Sequence, residues 1–173
     1  MNPNKGFTII EVVLIVLILG IVSAFAMARI LRGDSLDSAV ISDQLIAMTR
    51  LSQQKAIGRN DVQLRVEPEG ANLVVTVSDS SGVLETTSVP VAGISVYADV
   101  NQQAACSNPP LSGLISNGSP MILNFDSLGD LHSGGVATPV AITSGARLCL
   151  SPDTSLSVCI SKAGFAYRGD CLP

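Results

Sequence analysis

The chain has 173 residues, a formal net charge of −4 at pH 7 and four cysteines, and 47% of its residues are hydrophobic. Once its apolar N-terminal run is set aside, there is room for one small globular domain and not for two. Residues 29–59 carry five basic and three acidic side chains, whereas residues 60–173 carry four basic and ten acidic ones. Because nucleic-acid binding depends on neutralising phosphates, the acidic second part argues against general nucleic-acid binding.

The first predicted element is an apolar helix from Phe7 to Ala28, 22 residues in which Thr8, Glu11 and Ser23 are the only polar side chains. At about 1.5 Å per residue it would extend roughly 33 Å, enough to cross a hydrocarbon core of about 30 Å. The run therefore predicts a membrane-spanning helix. A carboxylate at mid-bilayer costs on the order of 2.5 to 3.5 kcal/mol. Glu11 lies near the helix start, where the membrane interface and the helix dipole reduce this cost without removing it.

The N-terminal motif consists of a short leader containing Lys5, then Gly6, Phe7-Thr8 and Glu11 at the head of an apolar helix. It resembles the prepilin signal of type IV pilins and type II secretion pseudopilins. In that family a membrane-embedded prepilin peptidase cleaves after the glycine and methylates the new N-terminal residue. The resemblance implies cleavage between Gly6 and Phe7, N-methylation of Phe7, and pairing of Glu11 with the N-terminus of a neighbouring subunit during assembly. The new α-amine would supply the countercharge that Glu11 lacks.

The pattern and the resemblance together divide the chain into four parts. Residues 1–6 are the leader peptide, residues 7–28 the transmembrane and assembly helix, residues 29–59 an amphipathic continuation of that helix, and residues 60–173 a β-rich globular head. The resemblance implies a single pass through the bacterial inner membrane with the head in the periplasm, followed by entry into a pilus or pseudopilus. The implied partners are prepilin peptidase, other pilin or pseudopilin subunits and the inner-membrane assembly platform. No cofactor and no metal is implied.

Beyond residue 28 the apolar residues recur at intervals of three to five, at Leu36, Ile41, Leu45, Met48 and Leu51. This spacing predicts an amphipathic helix that continues the first and ends at Gly58. The whole helix would contain roughly 50 residues, one half in the membrane and the other half against the head.

Strand-type patterns follow the helix. Alternation predicts a strand over Val62–Val66, a hairpin of Asn72–Ser78 with Val83–Val89, and a further strand over Val91–Ala98. Asp99–Pro120 is rich in Asn, Gln, Ser, Pro and Gly and predicts a long exposed loop that Cys106 tethers. Five short strands are predicted after it: Met121–Phe125, Val136–Ile142, Ala146–Leu150, Leu156–Ser161 and Phe165–Arg168.

The predicted fold class is therefore α+β, with a long N-terminal helix packed on a small antiparallel β-sheet head, the lollipop arrangement of type IV pilins. The segment Asn124–Gly129, the strands around Cys149 and Cys159, and the closing Gly164-Phe165 pair carry a second resemblance. They resemble the C-terminal part of minor pilins and pseudopilins of the GspH/FimT type, including minor pilins of haemagglutinin-type pili.

The four cysteines all follow the apolar run, which suits two disulfides in an oxidising compartment, and no C-x-x-C or Cys/His cluster indicates zinc. If residues 151–155 form a turn, Cys149 and Cys159 lie opposite each other on neighbouring strands, which leaves Cys106 to pair with Cys171. This pairing is favoured narrowly. The alternative joins Cys159 to Cys171, in a C-terminal loop of the kind that many pilins have, and Cys106 to Cys149.

Candidate catalytic and binding residues in the head are few. His132 is the single histidine, and without a G-x-S-x-G motif it predicts a solvated turn histidine rather than a catalytic base. Asp126 and Asp130 lack EF-hand spacing and predict polar β-turn residues. The last strands place Arg147, Lys162 and Arg168 in a possible basic face, which is a hypothesis for DNA contact because some GspH/FimT-type minor pilins bind DNA.

The sequence favours a non-enzymatic structural subunit, a minor pilin or pseudopilin of a type IV pilus or type II secretion filament. One alternative is a major pilin of the same kind of filament. Another is a secreted binding or enzymatic domain with an ordinary signal peptide, cleaved in the A-x-A patterns after Ala26 or Ala28. The apolar stretch exceeds the usual 7 to 15 residues and carries an acid near its start, which argues against that alternative.

Overall fold

The computed structural model describes residues 8–30, 33–91, 93–102, 105–107, 113–169 and 171, with side chains at all of these except 24–30 and 33–36. It divides into two compact units, residues 1–33 and residues 34–173. Helix α1 (Ile9–Ile30) lies in the first unit, and nearly all of helix α2 (Gly33–Ala56) lies in the second. Residues 31 and 32 lie outside the described residues, so the prediction of one unbroken helix stays a prediction.

The described residues of the second unit form ten strands in two antiparallel sheets. A six-stranded sheet has the order β3-β2-β1-β5-β6-β7, and a four-stranded sheet has the order β10-β9-β8-β4. Helix α2 and these two sheets confirm the predicted α+β class. The strands are β1 (Val62–Glu69), β2 (Asn72–Asp79), β3 (Gly82–Pro90), β4 (Ser95–Val100), β5 (Met121–Phe125), β6 (Leu131–Val136), β7 (Val140–Ala141), β8 (Gly145–Ser151), β9 (Val158–Ser161) and β10 (Ala166–Arg168).

The six-stranded sheet follows the sequence alternation closely. In β1 the side chains of Val62, Leu64 and Val66 are fully buried, and the residues between them are half-buried. Strand β2 repeats the pattern opposite β1, and β3 returns through the turn at residues 80 and 81. Because side chains alternate between the two faces of a strand, one face of this sheet belongs to the core. The predicted hairpin is confirmed.

Helix α2 buries one face in the same core. Its large buried side chains are Ile41, Leu45 and Met48, and small hydroxyl residues separate them along that face. The Thr49 hydroxyl donates to the Leu45 carbonyl at 2.7 Å, so a polar group on this face is satisfied within the helix. Such small side chains let the sheets approach the helix closely.

The end of α2 falls where the sequence predicts it. The helix stops at Ala56, and Gly58 takes a φ of +80°, a left-handed conformation that glycine adopts at little cost. The Gly58 N–H donates to the Ser127 carbonyl at 3.0 Å, which ties the helix end to the turn between β5 and β6.

Polar contacts fix α2 to both sheets. The Gln44 side-chain amide donates to the Thr87 hydroxyl in β3 at 2.9 Å. At the other sheet, the Arg50 guanidinium donates to the Ala166 carbonyl, and the Gln53 amide donates to the Ala163 carbonyl at 2.7 Å. The helix therefore joins the two sheets of the head.

Two strand predictions need correction. Val136–Ile142 was predicted as one strand, but β6 ends at Val136 and the two-residue β7 follows after a break. The break occurs because Ala137 takes a φ of +60° and Pro139 has no N–H to donate to a ladder. The strand predicted over Val91–Ala98 was also wrong at its start. The Ile94 N–H donates to the Val91 carbonyl in a turn, and β4 begins only at Ser95.

The predicted loop over Asp99–Pro120 is only partly a loop. Its first two residues belong to β4, and Leu114 forms an antiparallel bridge with Tyr97 in that strand. The side chain of Ile115 is buried in the core. Cys106 does tether this segment, as predicted, through a disulfide.

The favoured cysteine pairing is wrong, and the alternative is the one found: Cys106 pairs with Cys149, and Cys159 pairs with Cys171. The register of the β8–β9 ladder places Cys159 opposite Arg147, two residues away from Cys149. This ladder is centred on residue 153, as a turn over residues 151–155 also is, whereas Cys149 opposite Cys159 would need a turn centred one residue later. The first disulfide anchors the 101–120 segment to β8, and the second anchors the C-terminal tail to β9.

A Gly164→Ala substitution should destabilise the second unit by at least about 3 kcal/mol, because it combines a left-handed backbone with a steric overlap. Gly164 has a φ of +74°, and a Cβ there would lie 2.1 Å from the Gly129 carbonyl oxygen. The matched control is Gly58→Ala, since Gly58 has a φ of +80° but open space around it, and should cost about 1 kcal/mol. Urea unfolding of the full chain measures both, and equal costs would contradict the close approach.

Removing the Cys106–Cys149 disulfide should destabilise the protein more than removing the Cys159–Cys171 disulfide. The two bonds close sequence separations of 43 and 12 residues. On the chain-entropy account these loops correspond to about 4 and about 3 kcal/mol. Paired serine variants, compared by urea unfolding without reductant, check the order, and a larger loss from the shorter loop would reverse it.

Candidate functional site

The first turn of α1 is organised by Thr8 and Glu11. The Glu11 N–H donates to the Thr8 backbone carbonyl at 3.1 Å and to the Thr8 hydroxyl at 3.3 Å, and the Val12 N–H donates to the same carbonyl at 3.2 Å. Thr8 is thus the N-cap of α1, and Glu11 is the third residue of the helix. The Glu11 carboxylate is exposed and lies in the turn where the helix dipole favours a negative charge.

The spacing Thr8-Ile9-Ile10-Glu11 fits the S/T-x-x-E capping box. This signal was present in the sequence and was missed there, because Glu11 was interpreted through its charge alone. The structure shows one half of this motif, the hydrogen bond from the Glu11 N–H to the Thr8 hydroxyl.

The surface of α1 beyond this turn is apolar on every side. From Ile9 to Val22 its large aliphatic side chains are 45–86% exposed. Ser23 does not interrupt this surface, because its hydroxyl donates to the Leu19 carbonyl at 2.7 Å and so has a partner within the helix. Between Ile9 and Ser23, helix α1 consequently offers an apolar surface on every side, with one carboxylate near its N-terminal end.

Two of the predicted processing residues, Gly6 and Phe7, lie outside the described residues. Their roles in cleavage and N-methylation stay predictions. No helix within the described part of the chain combines the length and the apolarity needed to cross a membrane. The single-pass topology also stays a prediction.

The structure does not assemble Arg147, Lys162 and Arg168 into an exposed basic face, which corrects that expectation. Arg147 in β8 is only 9% exposed and lies opposite Asp99 of β4 in the strand register. The Lys162 ammonium contacts the Leu131 carbonyl, and the Arg168 guanidinium forms an ion pair with Asp43 of α2. The three cations serve contacts within the head, because the fold turns each toward a different partner.

The candidate catalytic residues do not form a catalytic arrangement. His132 is exposed as predicted, but it lies in strand β6 at a register shift and not in a turn, which corrects that expectation. Asp126 is a turn residue as predicted: its carboxylate accepts from the Leu128 N–H at 2.9 Å and from the Asp130 N–H at 3.0 Å. Within the described residues, no group of three or more His, Cys, Asp or Glu side chains could hold a metal ion.

Carboxylates at the β2–β3 turn have structural partners. The Asp61 carboxylate accepts from the Ser80 N–H at 2.8 Å, and hydrogen bonding from Ser80 lowers the pKa of Asp61. Hydrogen bonds from the Ser81 hydroxyl and N–H lower the pKa of Asp79, and the neighbouring Arg59 adds to this effect. In their ionised forms, both carboxylates accept hydrogen bonds that stabilise the hairpin turn. These structural contacts account for their lowered pKa values without a role in acid–base chemistry.

An aromatic pair next to α2 was not predicted. Phe165 is 52% exposed and stacks on Tyr167 with ring centroids 6.3 Å apart. The Arg50 guanidinium lies 5.3 Å from the Phe165 ring centroid, within the range of a cation–π contact. No pattern in the sequence indicates this cluster, because Arg50 and Phe165 are far apart along the chain and meet only in the folded protein.

Residues 1–27 match the model for the prokaryotic N-terminal methylation motif, which is characteristic of type IV pilins and pseudopilins. The match covers the predicted leader, the N-cap and most of α1, and it implies processing by prepilin peptidase and assembly with other pilin subunits. The N-terminal segment therefore carries a prepilin-type methylation motif. No curated protein and no solved structure matches the chain.

A Thr8→Val substitution should fray the first turn of α1. Valine keeps the branched shape but removes the hydroxyl that accepts the Glu11 N–H, at a cost of about 1 kcal/mol for a lost N-cap. Amide hydrogen exchange at Glu11 and Val12, measured on the full chain in detergent micelles, should accelerate about fivefold. Thr8→Ser is the matched control and should leave exchange unchanged; equal rates in all three chains would contradict the capping role.

Proposed function

We propose that this chain is a non-enzymatic subunit of a type IV pilus or type II secretion filament, in particular a minor pilin or pseudopilin. The observation that carries the proposal is the N-terminal methylation motif at residues 1–27, followed directly by a helix that exposes apolar side chains all round. A soluble domain has no use for such a helix, whereas a filament subunit needs one both in the membrane and in the filament core.

Before assembly, α1 would hold the precursor in the bacterial inner membrane as a single pass, with the head in the periplasm. The two disulfides of the head support this orientation, since disulfides persist in the periplasm and are rare in the cytosol. The internally satisfied hydroxyl of Ser23 supports it as well, because polar groups in lipid need partners within the protein.

Assembly would transfer α1 from lipid into a bundle of similar helices. Lipid and neighbouring helices are equally apolar, so the transfer gains little hydrophobic free energy and depends on specific contacts. The Glu11 carboxylate in the first turn is the charge on which such a contact would act, by pairing with the N-methylated α-amine of Phe7 in a neighbouring subunit. The inner-membrane assembly platform would supply the energy for extraction.

The minor or pseudopilin assignment, in preference to a major pilin, is supported by the likeness of the head segments to the GspH/FimT type. The acidic head and the engagement of Arg147, Lys162 and Arg168 in internal contacts support a protein partner over nucleic acid.

The decisive experiment is the N-terminal residue and mass of the protein recovered from its native membrane. We expect a chain that begins at N-methylated Phe7. A Gly6→Val variant should keep its leader, because a bulky side chain would occupy the position before the scissile bond. A chain that begins after Ala26 or Ala28 would refute the proposal and support an ordinary secretory signal.

A second arm of this experiment separates processing from assembly. Glu11→Gln should still be cleaved but should be depleted from the sheared filament fraction, because a neutral amide cannot neutralise an α-amine. The matched control is Glu85→Gln, which removes an exposed carboxylate from β3 in the head and should enter filaments normally. Normal recovery of Glu11→Gln would exclude the proposed role of the carboxylate.

A further inference from the structure

Residues 113–119, which we call the strap, lie along the edge of β4. Strand β4 is the last strand of the four-stranded sheet, and the strap covers its outer edge through one bridge, between Leu114 and Tyr97. The Ile115 N–H donates to the Val96 carbonyl at 3.0 Å, and the Ile115 side chain is 5% exposed. These contacts are sparse compared with the continuous ladder of six residue pairs that β4 forms with β8.

The far end of the strap is a tight turn held by a carboxylate. Ser116 and Ser119 exchange two backbone hydrogen bonds across the turn, at 3.2 and 2.9 Å. The Gly118 N–H points away from the turn and donates to Glu67 Oε1 in β1 at 3.1 Å. Glu67 therefore connects the strap to the six-stranded sheet, whereas Ile115 connects it to the four-stranded one.

Glu67 is held in position by a neighbour on its own strand. Its second oxygen, Oε2, accepts from Arg65 Nε at 3.0 Å and from Arg65 Nη2 at 2.6 Å, and its side chain is only 14% exposed. Among the described residues, Arg65 is the charged group that contacts Glu67, and the strap itself contains no ionisable side chain. The carboxylate is thus oriented toward Gly118 before the strap meets it.

Beneath the strap lies an apolar cleft of about 280 Å³. The body of the head contributes Leu73, Ile94 and Val96 to its lining, and the strap contributes Leu114, Ile115 and Asn117. One wall of this cleft is therefore the strap, and the width of the cleft depends on whether the strap is in place. The Cys106–Cys149 disulfide anchors the chain before the strap, so the strap can move without freeing the whole 101–120 segment.

We propose that the strap is held shut by the Glu67 carboxylate, and that removing or protonating this carboxylate opens the apolar cleft and the edge of β4. A charge-assisted hydrogen bond is the strongest single polar contact of the strap, and few others replace it. Contacts of this kind define segments that open locally while the rest of a domain stays folded. The proposal is independent of whether the chain assembles into a filament.

The pH dependence has a definite sign. The hydrogen bond from Arg65, followed by that from the Gly118 N–H, lowers the pKa of Glu67 below its ordinary value of 4.5. The contact is therefore at full strength above that ordinary value and is lost as the pH falls through the lowered pKa. The strap should be shut at neutral pH and open in strong acid.

The test is amide hydrogen exchange of the full-length chain in detergent micelles, with wild type, Glu67→Ala and Glu69→Ala compared at pH 7. In Glu67→Ala the amides of Ile115, Gly118 and Ser119 should exchange at least about tenfold faster, since a hydrogen bond to a charged group is lost. Glu69 is an exposed carboxylate two residues along the same strand, so Glu69→Ala should behave as wild type. Amides of β5 and β8 report whether each chain is folded.

Three results would overturn the proposal. One is wild-type exchange throughout the strap in Glu67→Ala; another is acceleration confined to Gly118 while Ile115 stays protected, which would mean a frayed turn and a closed cleft. The third concerns the wild-type protection factors of Ile115, Gly118 and Ser119, corrected for the intrinsic exchange rate at each pH. The proposal fails if they do not fall as the pH is lowered stepwise from 4.5 until the first amides of β8 lose protection. If Glu67→Ala does not fold, Glu67→Gln keeps the shape without the charge and should accelerate the same three amides several-fold.

Discussion

The structure depends on how the apolar surface of α1 is covered. Between Ile9 and Val22, twelve large aliphatic side chains of this helix are exposed, and fully burying one such side chain stabilises a protein by about 1.5 to 3 kcal/mol. The free energy available from burying all of them is therefore larger than the net stability of a typical domain, which is about 5 to 15 kcal/mol. Under the proposed function, a bilayer and a bundle of similar helices would cover this surface equally well, and that equivalence would allow a subunit to pass from one to the other.

Helix α2 differs from α1, because one of its faces is buried in the core of the second unit. Small buried hydroxyl residues alternate with Ile41, Leu45 and Met48, and two of these hydroxyls donate to carbonyls of the helix itself. The same helix binds both sheets, because Gln44 donates to Thr87 of one and Arg50 donates to the Ala166 carbonyl of the other. The two helices thus differ in surface: α1 exposes aliphatic side chains that any apolar surroundings could cover, whereas α2 makes defined contacts with the two sheets.

Local patterns predicted the elements that depend on neighbours in sequence. The end of α2 near Gly58 and the β2–β3 hairpin followed from residue types within a few positions. The cysteine pairing failed because it depends on the register between β8 and β9, in which a difference of one residue in the centre of the turn decides whether Cys159 lies opposite Arg147 or opposite Cys149. In the candidate site, the position of Glu11 in the first turn was predictable, but its partnership with Thr8 was missed although the spacing was visible.

The basic residues of the head show why a charge count could not locate a binding face. Arg59, Arg65 and Arg168 each pair with a carboxylate of the head or of α2. Internal pairing removes cations and anions in equal number, so the excess of acidic residues in the sequence remains for the surface. An acidic surface repels phosphates and attracts cationic or apolar partners. The fold agrees with the argument from composition, because each of these three arginines already has a carboxylate partner within the protein.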